Sequence, residues 1–449
     1  MLSRKIEQDI LGWLNHSNKA LMISGARQVG KTFIIRSIFK KNKIDYVEFN
    51  LIEEPRALKV LKSYSTVDDL ILKLSLLSNK KLTPRKTFIF LDEIQEFPEI
   101  ITKIKFLTED GRFRFVLSGS LLGIELRNLK SAPVGYLQTL TMYPLDFEEF
   151  LQIFNIPEEI FSKLKSSYDT KLPLDKTIHE KFLEIFNLYM IIGGMPAAVK
   201  IFKQTNNIDK VIIEHNAIIE EYKRDFTKYE EEDRKLIITK IFEMIPAELN
   251  EKNKRFKITN IDKNARIDRI EDSFTWLTKA GVALAAYNTT EPILPLVLNK
   301  KSSLFKLFLS DVGLLTTMFG KATKLQIVNN ETNINKGALF ENVIIQELFA
   351  HGYVAFYYSN KKLGEVDFII EHNGKILPIE VKSGKNYQKH SALNNIIRTE
   401  NYKLENAFVF SSSNTSVHGK IVYYPIYMIM FLQEDELGQP IIPLSHYTF

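Results

Sequence analysis

Residues 20–39 read ALMISGARQVGKTFIIRSIF, and this stretch decides the fold class of the N-terminal part of the chain. The apolar run ALMIS favours a buried strand, and the apolar spacing in KTFIIRSIF favours a helix. Between them, GARQVGKT matches the pattern G-x-x-x-x-G-K-[ST], in which glycines turn backbone N–H groups toward phosphate oxygens at a helix N-terminus. The residues predicted to contact a nucleotide in this loop are Gly25, Ala26, Arg27, Gln28, Val29, Gly30, Lys31 and Thr32.

The segment TFIFLDE supplies the second half of a nucleotide site. An apolar strand ends at Asp92, whose carboxylate suits the Mg²⁺ shell together with the Thr32 hydroxyl. Glu93 is expected to position or deprotonate the attacking water. The next strand ends in SGS, so Ser118 or Ser120 is a candidate sensor of the γ-phosphate, with an ordinary polar turn as the alternative. The expected cofactors are ATP and Mg²⁺.

The composition narrows the class of protein. At 449 residues the chain is too long for one core, so several domains are expected. Cysteine is absent, which excludes disulfides, thiolate metal sites and cysteine nucleophiles. The formal charge of +6 permits a polyanionic partner without requiring one. YYPIYMIMFL near the end is too short to span a membrane and predicts a buried strand. The N-terminus lacks a signal-peptide core, so a cytoplasmic protein without a membrane partner is expected.

Apolar strands alternate with amphipathic helices from about residue 20 to about residue 144, which predicts an α/β fold with a parallel sheet. The predicted strands are ALMIS, YVEFNL, TFIFLD, FRFVLS and LQTLTMY. Residues 146–229 have a helical pattern, broken by DTKLPLD and GGMP. The segment RIEDSFTWLTKAG predicts a helix that ends at Gly281 and leads into a strand, VALAAYN. After about residue 335, the helix GALFENVIIQELFAHG is followed mostly by strands.

The segment VDFIIEHNGKILPIEVK predicts a hairpin with Asn373 and Gly374 as its two-residue turn. This turn fixes a register in which Asp367 faces Glu380 and the ladder continues outward. Like charges directly opposite each other weaken a sheet. Asp367 and Glu380 point to one face of the hairpin. The opposite face carries the predicted core residues Val366, Phe368, Ile370, Leu377, Ile379 and Val381.

Two opposed carboxylates suit part of a Mg²⁺ shell, because Mg²⁺ prefers one or two carboxylates and keeps several waters. Lys382 shares a face with Glu380 and is expected to orient the attacking water or to stabilise a charged transition state. The alternative is a charged hairpin face on which Lys382 faces Glu365 and forms a surface ion pair with it.

The motifs GARQVGKT, FLDEIQEFP, FVLSGSLLG and MYPLDFEEF together resemble a bacterial and archaeal family of AAA-type ATPases. Further matches extend the resemblance over nearly the whole chain: IIGGMPAAV, FTWLTKAGV, LFLSDVGLL, GALFENVII and GEVDFII…ILPIEVKSG. It implies a C-terminal domain of unknown function related to restriction-endonuclease-like folds. Asp…Glu-x-Lys is the core signature of PD-(D/E)XK nucleases. The resemblance thus implies a catalytic role for Asp367, Glu380 and Lys382, and adds Glu341 as a metal ligand beside Asp367 and Glu380.

The resemblance also implies a winged-helix-like module that begins near residue 230. Within it, positive charge exceeds negative charge between residues 251 and 269, and such a patch can neutralise DNA phosphates. A solvated basic face is the alternative. Relatives often carry an arginine just before the strand LQTLTMY. This chain has Gly135 and Tyr136 there, and Arg127 is a weak substitute. The basic residues are Lys252, Lys254, Arg255, Lys257, Lys263, Arg266 and Arg269.

The predicted architecture is a P-loop AAA-type parallel-sheet core, a helical lid, a winged-helix-like module and an α/β PD-(D/E)XK nuclease-like domain. Their predicted boundaries are 1–160, 161–229, 230–325 and 326–449. The predicted function is Mg²⁺-dependent ATP binding and hydrolysis that serves an action on nucleic acid. The alternative is an ATP-dependent DNA- or protein-binding regulatory switch whose nuclease-like domain is catalytically silent. ATP is the expected ligand, DNA is a candidate partner, and a homo-oligomer is left open.

Overall fold

An apolar strand, β1 (Ala20–Ser24), lies inside a parallel sheet whose strand order is β2-β3-β4-β1-β5. All of its residues are buried, as expected for a parallel strand covered on both faces. This sheet confirms the predicted parallel-sheet core. The computed structural model describes residues 2–78, 80–119, 135–228, 232–251, 254–256, 267–329 and 336–435. The other strands are β2 (Tyr46–Asn50), β3 (Phe88–Asp92), β4 (Arg114–Gly119) and β5 (Leu137–Thr141).

Three helices cover one face of this sheet. Leu61, Leu74 and Ile104, each from a different helix, join the same buried cluster as Val47 and Leu117 of the sheet. Their burial follows from the apolar spacing along each helix. The helices of this region are α1 (Ile6–His16), α2 (Lys31–Lys41), α3 (Pro55–Ser63), α4 (Val67–Leu77) and α5 (Ile100–Asp110).

The segment from Asp146 onward is helical, as predicted. One helix ends at Thr170 and the next begins at Lys176, so residues 171–175 of the predicted loop DTKLPLD separate them. The helices are α6 (Phe147–Leu151), α7 (Glu158–Thr170), α8 (Lys176–Ile192), α9 (Pro196–Thr205), α10 (Ile208–Lys228), α11 (Glu232–Asn250) and α12 (Ile267–Lys279).

A buried carboxylate, Asp311, fixes the turn at GGMP. It accepts hydrogen bonds from the backbone N–H groups of Gly194 (2.6 Å) and Leu314 (2.9 Å). Gly193 has a φ of +68°, and a Cβ there would lie 2.2 Å from Oδ1 of Asp311. Only glycine fits this approach. The motifs IIGGMPAAV and LFLSDVGLL are therefore two sides of one contact.

A second, mixed sheet has the strand order β12-β13-β11-β10-β9-β8-β6-β7. Its strands are β6 (Ala283–Thr289), β7 (Lys300–Leu309), β8 (Phe356–Asn360), β9 (Gly364–His372), β10 (Lys375–Lys382), β11 (Ala407–Ser411), β12 (Ser416–His418) and β13 (Ile421–Pro425). The helices of the C-terminal part are α13 (Val312–Met318), α14 (Lys321–Val328), α15 (Gly337–Ala350) and α16 (Ser391–Arg398).

The hairpin β9-β10 has the predicted turn and register. Its pairing begins at His372 with Lys375 and runs to Phe368 with Ile379, and all six predicted core residues are buried. The prediction that the ladder continues outward is wrong. Beyond Phe368, the side chain of Asp367 accepts the backbone N–H of Val381 at 2.8 Å, so a carboxylate takes the place of a ladder carbonyl.

The prediction of a strand over YYPIYMIMFL is also wrong in part. The strand β13 ends at Pro425, and Ile426–Phe431 form a buried 3-10 helix. Both forms bury apolar side chains, so a short apolar run alone does not distinguish them.

The chain forms two compact units. The phosphate-loop residues belong to the first and the hairpin belongs to the second, while the four-domain boundaries stay a prediction. Among the helices that the structure describes, none is long and apolar enough to cross a membrane. The first unit comprises Met1–Asn155, Asn187–Leu284 and Leu307–Ile334, and the second comprises Ile156–Phe186, Ala285–Lys306 and Asn335–Phe449.

Candidate functional site

The loop between β1 and α2 is built on two glycines that no other residue could replace without strain. Gly25 has a φ of +144°, and a Cβ there would lie 2.2 Å from the carbonyl oxygen of Met142. Gly30 precedes α2 with a φ of +100°, a left-handed conformation that favours glycine. Both allow the loop to wrap closely around the N-terminus of α2, where free backbone N–H groups favour an anion.

Lys31 holds its ammonium group inside this loop. Its Nζ donates hydrogen bonds to the backbone carbonyls of Gly25 (3.0 Å) and Ala26 (2.7 Å). Burial lowers the pKa of Lys31 to about 8, while the charges of Glu93 and Asp92 oppose that shift. A positive charge is thus kept beside the loop in a place sheltered from water.

Asp92 is the centre of a hydrogen-bond network at the ends of the parallel strands. Thr32 Oγ1 donates to Asp92 Oδ2 at 2.9 Å, and Ser118 donates to Oδ1 of the same carboxylate. Burial raises the pKa of Asp92, the hydrogen bond from Ser118 opposes that, and the charge of Glu93 adds to it. Strand β4 lies between β1 and β3, and this order brings Ser118 to Asp92. The structure therefore brings together Thr32, Asp92 and Ser118.

Asn50 joins the same network and was not predicted. Its Nδ2 donates to Asp92 Oδ2 at 3.3 Å from the end of the neighbouring strand β2. The sequence could have indicated this role, because Asn50 is a polar residue at the carboxyl end of a predicted parallel strand. Ligands bind at that end of the strands in open α/β sheets.

Glu93 follows β3 in a left-handed conformation, with a φ of +58°. For a residue with a Cβ, such a conformation costs on the order of 1–3 kcal/mol, and such strained residues recur at functional sites. Gln95 donates a hydrogen bond from Nε2 to the Glu93 carboxylate. The charge of Glu93 acts on the pKa of both Lys31 and Asp92.

The donors at this site suit Mg²⁺. A hydroxyl and a carboxylate, from Thr32 and Asp92, converge within 2.9 Å. Mg²⁺ prefers such oxygen ligands and takes its others from water and phosphate oxygens. Thr32 and Asp92 are the residues that would hold the ion.

Three side chains of helix α10 contact Arg27 and Gln28 of the loop. The sequence did not predict these contacts. Asp225 forms an ion pair with Arg27, and Glu221 accepts a hydrogen bond from Gln28. Between them, the hydroxyl of Tyr222 donates to the carbonyl oxygen of Arg27 at 3.2 Å. The conformation of the loop is thereby coupled to the position of α10.

An apolar cavity of about 820 Å³ adjoins the loop. Phe33 lines it and is 56% exposed, although it directly follows Thr32 in the chain. Its other apolar walls come from the N-terminal residues, the loop, the segment after β5, and α9. They include Leu2, Val29, Met142, Pro196 and Ala197.

A second cluster of charged side chains lies at the open end of the β9-β10 hairpin. Lys382 Nζ lies 2.7 Å from Glu380 Oε1. Burial raises the pKa of Glu380 to about 8, and the nearby charge of Asp367 adds to this effect. Glu341, on α15, is only 4% exposed, and its charge acts on both Glu380 and Lys382. The structure thus brings together Glu341, Asp367, Glu380 and Lys382.

Two further charged residues belong to this cluster: Lys306, which was not predicted, and Glu365, which was predicted only as a partner of Lys382. Lys306 of β7 is fully buried, and its Nζ lies 2.7 Å from Glu365 Oε1 on β9. The alternative prediction, a surface ion pair between Lys382 and Glu365, is therefore wrong. A single lysine inside the apolar run LFKLFL was the available signal, since lysine is seldom fully buried without a charged partner.

The donors of this cluster suit a divalent cation in part. Oε2 of Glu380 is buried and has no hydrogen-bond partner among the residues that the structure describes. A buried carboxylate oxygen without a partner is costly, and a cation would remove that cost. Glu341, Asp367 and Glu380 are the residues that would hold the ion, while two lysines already offset part of their charge.

Several predicted residues lie outside the part of the chain that the structure describes, so their predictions stay untested. The backbone of Arg269 lies in α12. Lys254 and Arg255 belong to the short described range 254–256. The residues outside the described ranges are Ser120, Arg127, Lys252, Lys257, Lys263 and Arg266.

Solved structures similar to this chain include three archaeal proteins, all of low identity. A Walker-type ATPase of Pyrococcus abyssi is 13% identical, with 71% of this chain and 96% of that chain covered, at a TM-score of 0.41. Cdc6p of Pyrobaculum aerophilum is 13% identical, with coverages of 74% and 96%, at a TM-score of 0.24. The Orc1 protein of Aeropyrum pernix, solved in complex with DNA, is 12% identical, with coverages of 74% and 93%, at a TM-score of 0.28.

Three protein families match successive parts of the chain, whereas no curated protein matches it. Residues 183–325 match a domain of unknown function (DUF8612), and residues 336–429 match another (DUF4143). Residues 17–151 match the AAA domain family. This match spans the parallel sheet, the loop at Gly25–Thr32, and Asp92 and Glu93. Residues 17–151 are therefore a P-loop ATPase domain of the AAA type.

Proposed function

We propose that the chain is a Mg²⁺-dependent ATP-hydrolysing protein that acts on nucleic acid. The observation that carries the ATPase part is the convergence of Thr32, Asp92 and Ser118 at one edge of the parallel sheet, beside the loop. Lys31 lies in the same loop, and the charge of Glu93 acts on it.

Each residue of the site has a distinct role in this proposal. Bound Mg²⁺ would offset the charge that develops on the β- and γ-phosphate oxygens. Thr32 and Asp92 would hold the ion, while the loop N–H groups and Lys31 would bind the phosphates. Glu93 orients the attacking water and accepts its proton. Ser118 fixes the orientation of Asp92 through its hydrogen bond.

The apolar cavity beside the loop suits the base of the nucleotide. Ligand sites are concave and mostly apolar, and this cavity of about 820 Å³ begins at Val29 and Gly30 of the loop. Phe33 presents an exposed aromatic ring on which a purine can stack. These features support ATP as the ligand, with its adenine in the cavity beside α9 in this proposal.

The test separates binding of ATP from its hydrolysis. Lys31→Ala removes the charge that binds the phosphates, so we expect ATP binding to be lost. Glu93→Gln keeps the shape and removes the base, so we expect binding to persist and steady-state phosphate release to fall at least about a hundredfold. Lys40→Ala, on the exposed side of α2, is the matched control for both measurements. Wild-type turnover in Glu93→Gln would remove Glu93 from the catalytic role.

The C-terminal part of the proposal is metal-dependent cleavage of nucleic acid by the carboxylate cluster. The convergence of Asp367, Glu380 and Lys382 with Glu341 supports it. A bound divalent cation would polarise the scissile phosphate and lower the pKa of its water. Lys382 orients the attacking water and stabilises the extra negative charge as the new P–O bond forms and the bond to the leaving oxygen breaks.

A second candidate is a regulatory switch that binds DNA or protein and whose C-terminal cluster cuts nothing. The ion pairs Lys306–Glu365 and Lys382–Glu380 favour it, because they offset carboxylate charge without any metal. The two candidates differ in whether a divalent cation binds this cluster and in whether DNA is cut.

A further inference from the structure

Lys306 is in an unusual place for a lysine. Its side chain has no exposure to solvent, and its Nζ lies 5.0 Å from the ring centroid of Tyr357 on β8. The contact of 2.7 Å with Glu365 Oε1 is its ion pair. A buried ammonium group that lost such a pair would cost several kcal/mol, so its retention inside the sheet needs a compensating gain.

The charges around Lys306 are those of the candidate metal site. Burial by itself would lower the pKa of Lys306, but the charges of Glu341, Glu365 and Asp367 together raise it above the usual value. Lys306 is therefore protonated at neutral pH. The charges of two predicted metal ligands, Glu341 and Asp367, therefore act on Lys306 in addition to the charge of its partner Glu365, which lies two residues from Asp367 on β9.

We propose that Lys306 is a built-in cation of the carboxylate site, and that its fixed positive charge sets the affinity of the site for a divalent cation. It holds the carboxylates together when no divalent cation is bound, and it opposes an incoming cation at short range. This inference rests on the proposed metal-binding role of Asp367 and Glu380.

The balance of charge agrees with this role. When all are ionised, the four carboxylates of Glu341, Glu365, Asp367 and Glu380 exceed Lys306 and Lys382 by two negative charges. One divalent cation offsets that excess. Without Lys306 the excess would be three charges, concentrated around a buried site where Coulomb interactions are stronger than in water.

The experiment measures Mn²⁺ binding by calorimetry on the full chain, without nucleotide, in a Lys31→Ala background. Mn²⁺ binding that persists in the Asp367→Asn variant is assigned to other sites, and this background is subtracted from the binding of each other variant. Lys306→Met removes the charge and keeps the apolar stem, so we expect Mn²⁺ to bind at least about tenfold more tightly. Lys306→Arg keeps the charge and should bind within about threefold of the parent. Lys301→Met, on an exposed part of β7, is the matched control and should not change binding.

A merely structural ion pair would give a different result. Lys306→Met would then melt at a lower temperature but bind Mn²⁺ as the parent does, and that outcome would overturn the proposal. The double variant Lys306→Met with Glu365→Gln removes both partners and should return to within about threefold of the parent affinity.

Two other outcomes are also decisive. If Lys306→Met fails to fold, Glu365→Gln decides alone: it leaves Lys306 without its partner, so Mn²⁺ should bind at least about tenfold more weakly, and unchanged binding overturns the proposal. If Asp367→Asn binds Mn²⁺ as tightly as the parent, the proposed metal site itself fails. In that case the role of Lys306 fails with it, while ATP hydrolysis at the first unit is unaffected.

Discussion

Glu380 makes the carboxylate site sensitive to pH. It is buried beside Asp367, and both conditions favour its protonated form, so its pKa rises from an ordinary 4.5 to about 8. A cation needs the ionised carboxylate, so binding must displace a proton whenever Glu380 is protonated beforehand.

This leads to a prediction about proton release. Because the folded-state pKa is raised, the proton is held up to about pH 8, and without metal the stability of the fold decreases as the pH rises from 4.5 toward that value. Mn²⁺ binding at pH 7 should therefore release a proton, and affinity should rise with pH until Glu380 is ionised. Calorimetry in buffers of different ionisation enthalpy measures the proton directly. Mn²⁺ binding through Asp367 without proton release would show that Glu380 is ionised beforehand.

At the scale of residues, the sequence predicted the site residues that lie within one short motif. It missed the site residues that the fold brings in from distant segments. Thr32, Asp92 and Glu93 follow a strand-loop-helix or strand-end pattern that is visible locally. Asn50 and Lys306 reach their sites through strand order, which one sequence does not reveal. Glu365 was assigned to the wrong lysine for the same reason.

At the scale of elements, local patterning was sufficient for strands that alternate with helices. All five strands of the parallel sheet lie within a residue or two of the predicted runs. The hairpin register followed from Asn373 and Gly374, because a two-residue turn leaves no freedom. The end of the ladder at Phe368 could not be predicted from this turn. The Asp367 side chain competes there with a backbone carbonyl for the Val381 N–H.

The basic segment between residues 251 and 269 carries a prediction at this scale. If it contacts DNA phosphates, Lys263→Glu combined with Arg266→Glu should weaken DNA binding and lower the steepness of its salt dependence by about one unit per lost contact. Fluorescence anisotropy across a series of salt concentrations measures both. Lys301→Glu with Lys40→Glu makes the same charge change elsewhere and is the control. An unchanged salt slope would assign the segment to a solvated surface.

At the scale of the whole molecule, the two sites should respond to metal independently. In a Lys31→Ala background without ATP, Mg²⁺ or Mn²⁺ should raise the melting temperature, because binding to the folded form stabilises it. Asp367→Asn should remove that shift. It should also melt no lower than its parent without metal, because it relieves repulsion with Glu380 and keeps an oxygen to accept the Val381 N–H.

The control for this measurement is Asp169→Asn, which changes an exposed carboxylate and should leave the metal-dependent shift intact. A chain whose melting does not respond to metal in either background would have a charged hairpin in place of a metal site.

The central claim is that ATP turnover by the first unit serves an action on nucleic acid by the second. The most direct test incubates the full chain with supercoiled and single-stranded DNA in Mg²⁺ or Mn²⁺, with and without ATP, and follows DNA cleavage and phosphate release together. We predict cleavage that depends on ATP and is lost in Lys31→Ala. We also predict that Asp367→Asn and Lys382→Ala lose cleavage but keep ATP hydrolysis. ATP hydrolysis with no cleavage of either DNA form, and no change in turnover when DNA is added, would contradict the account.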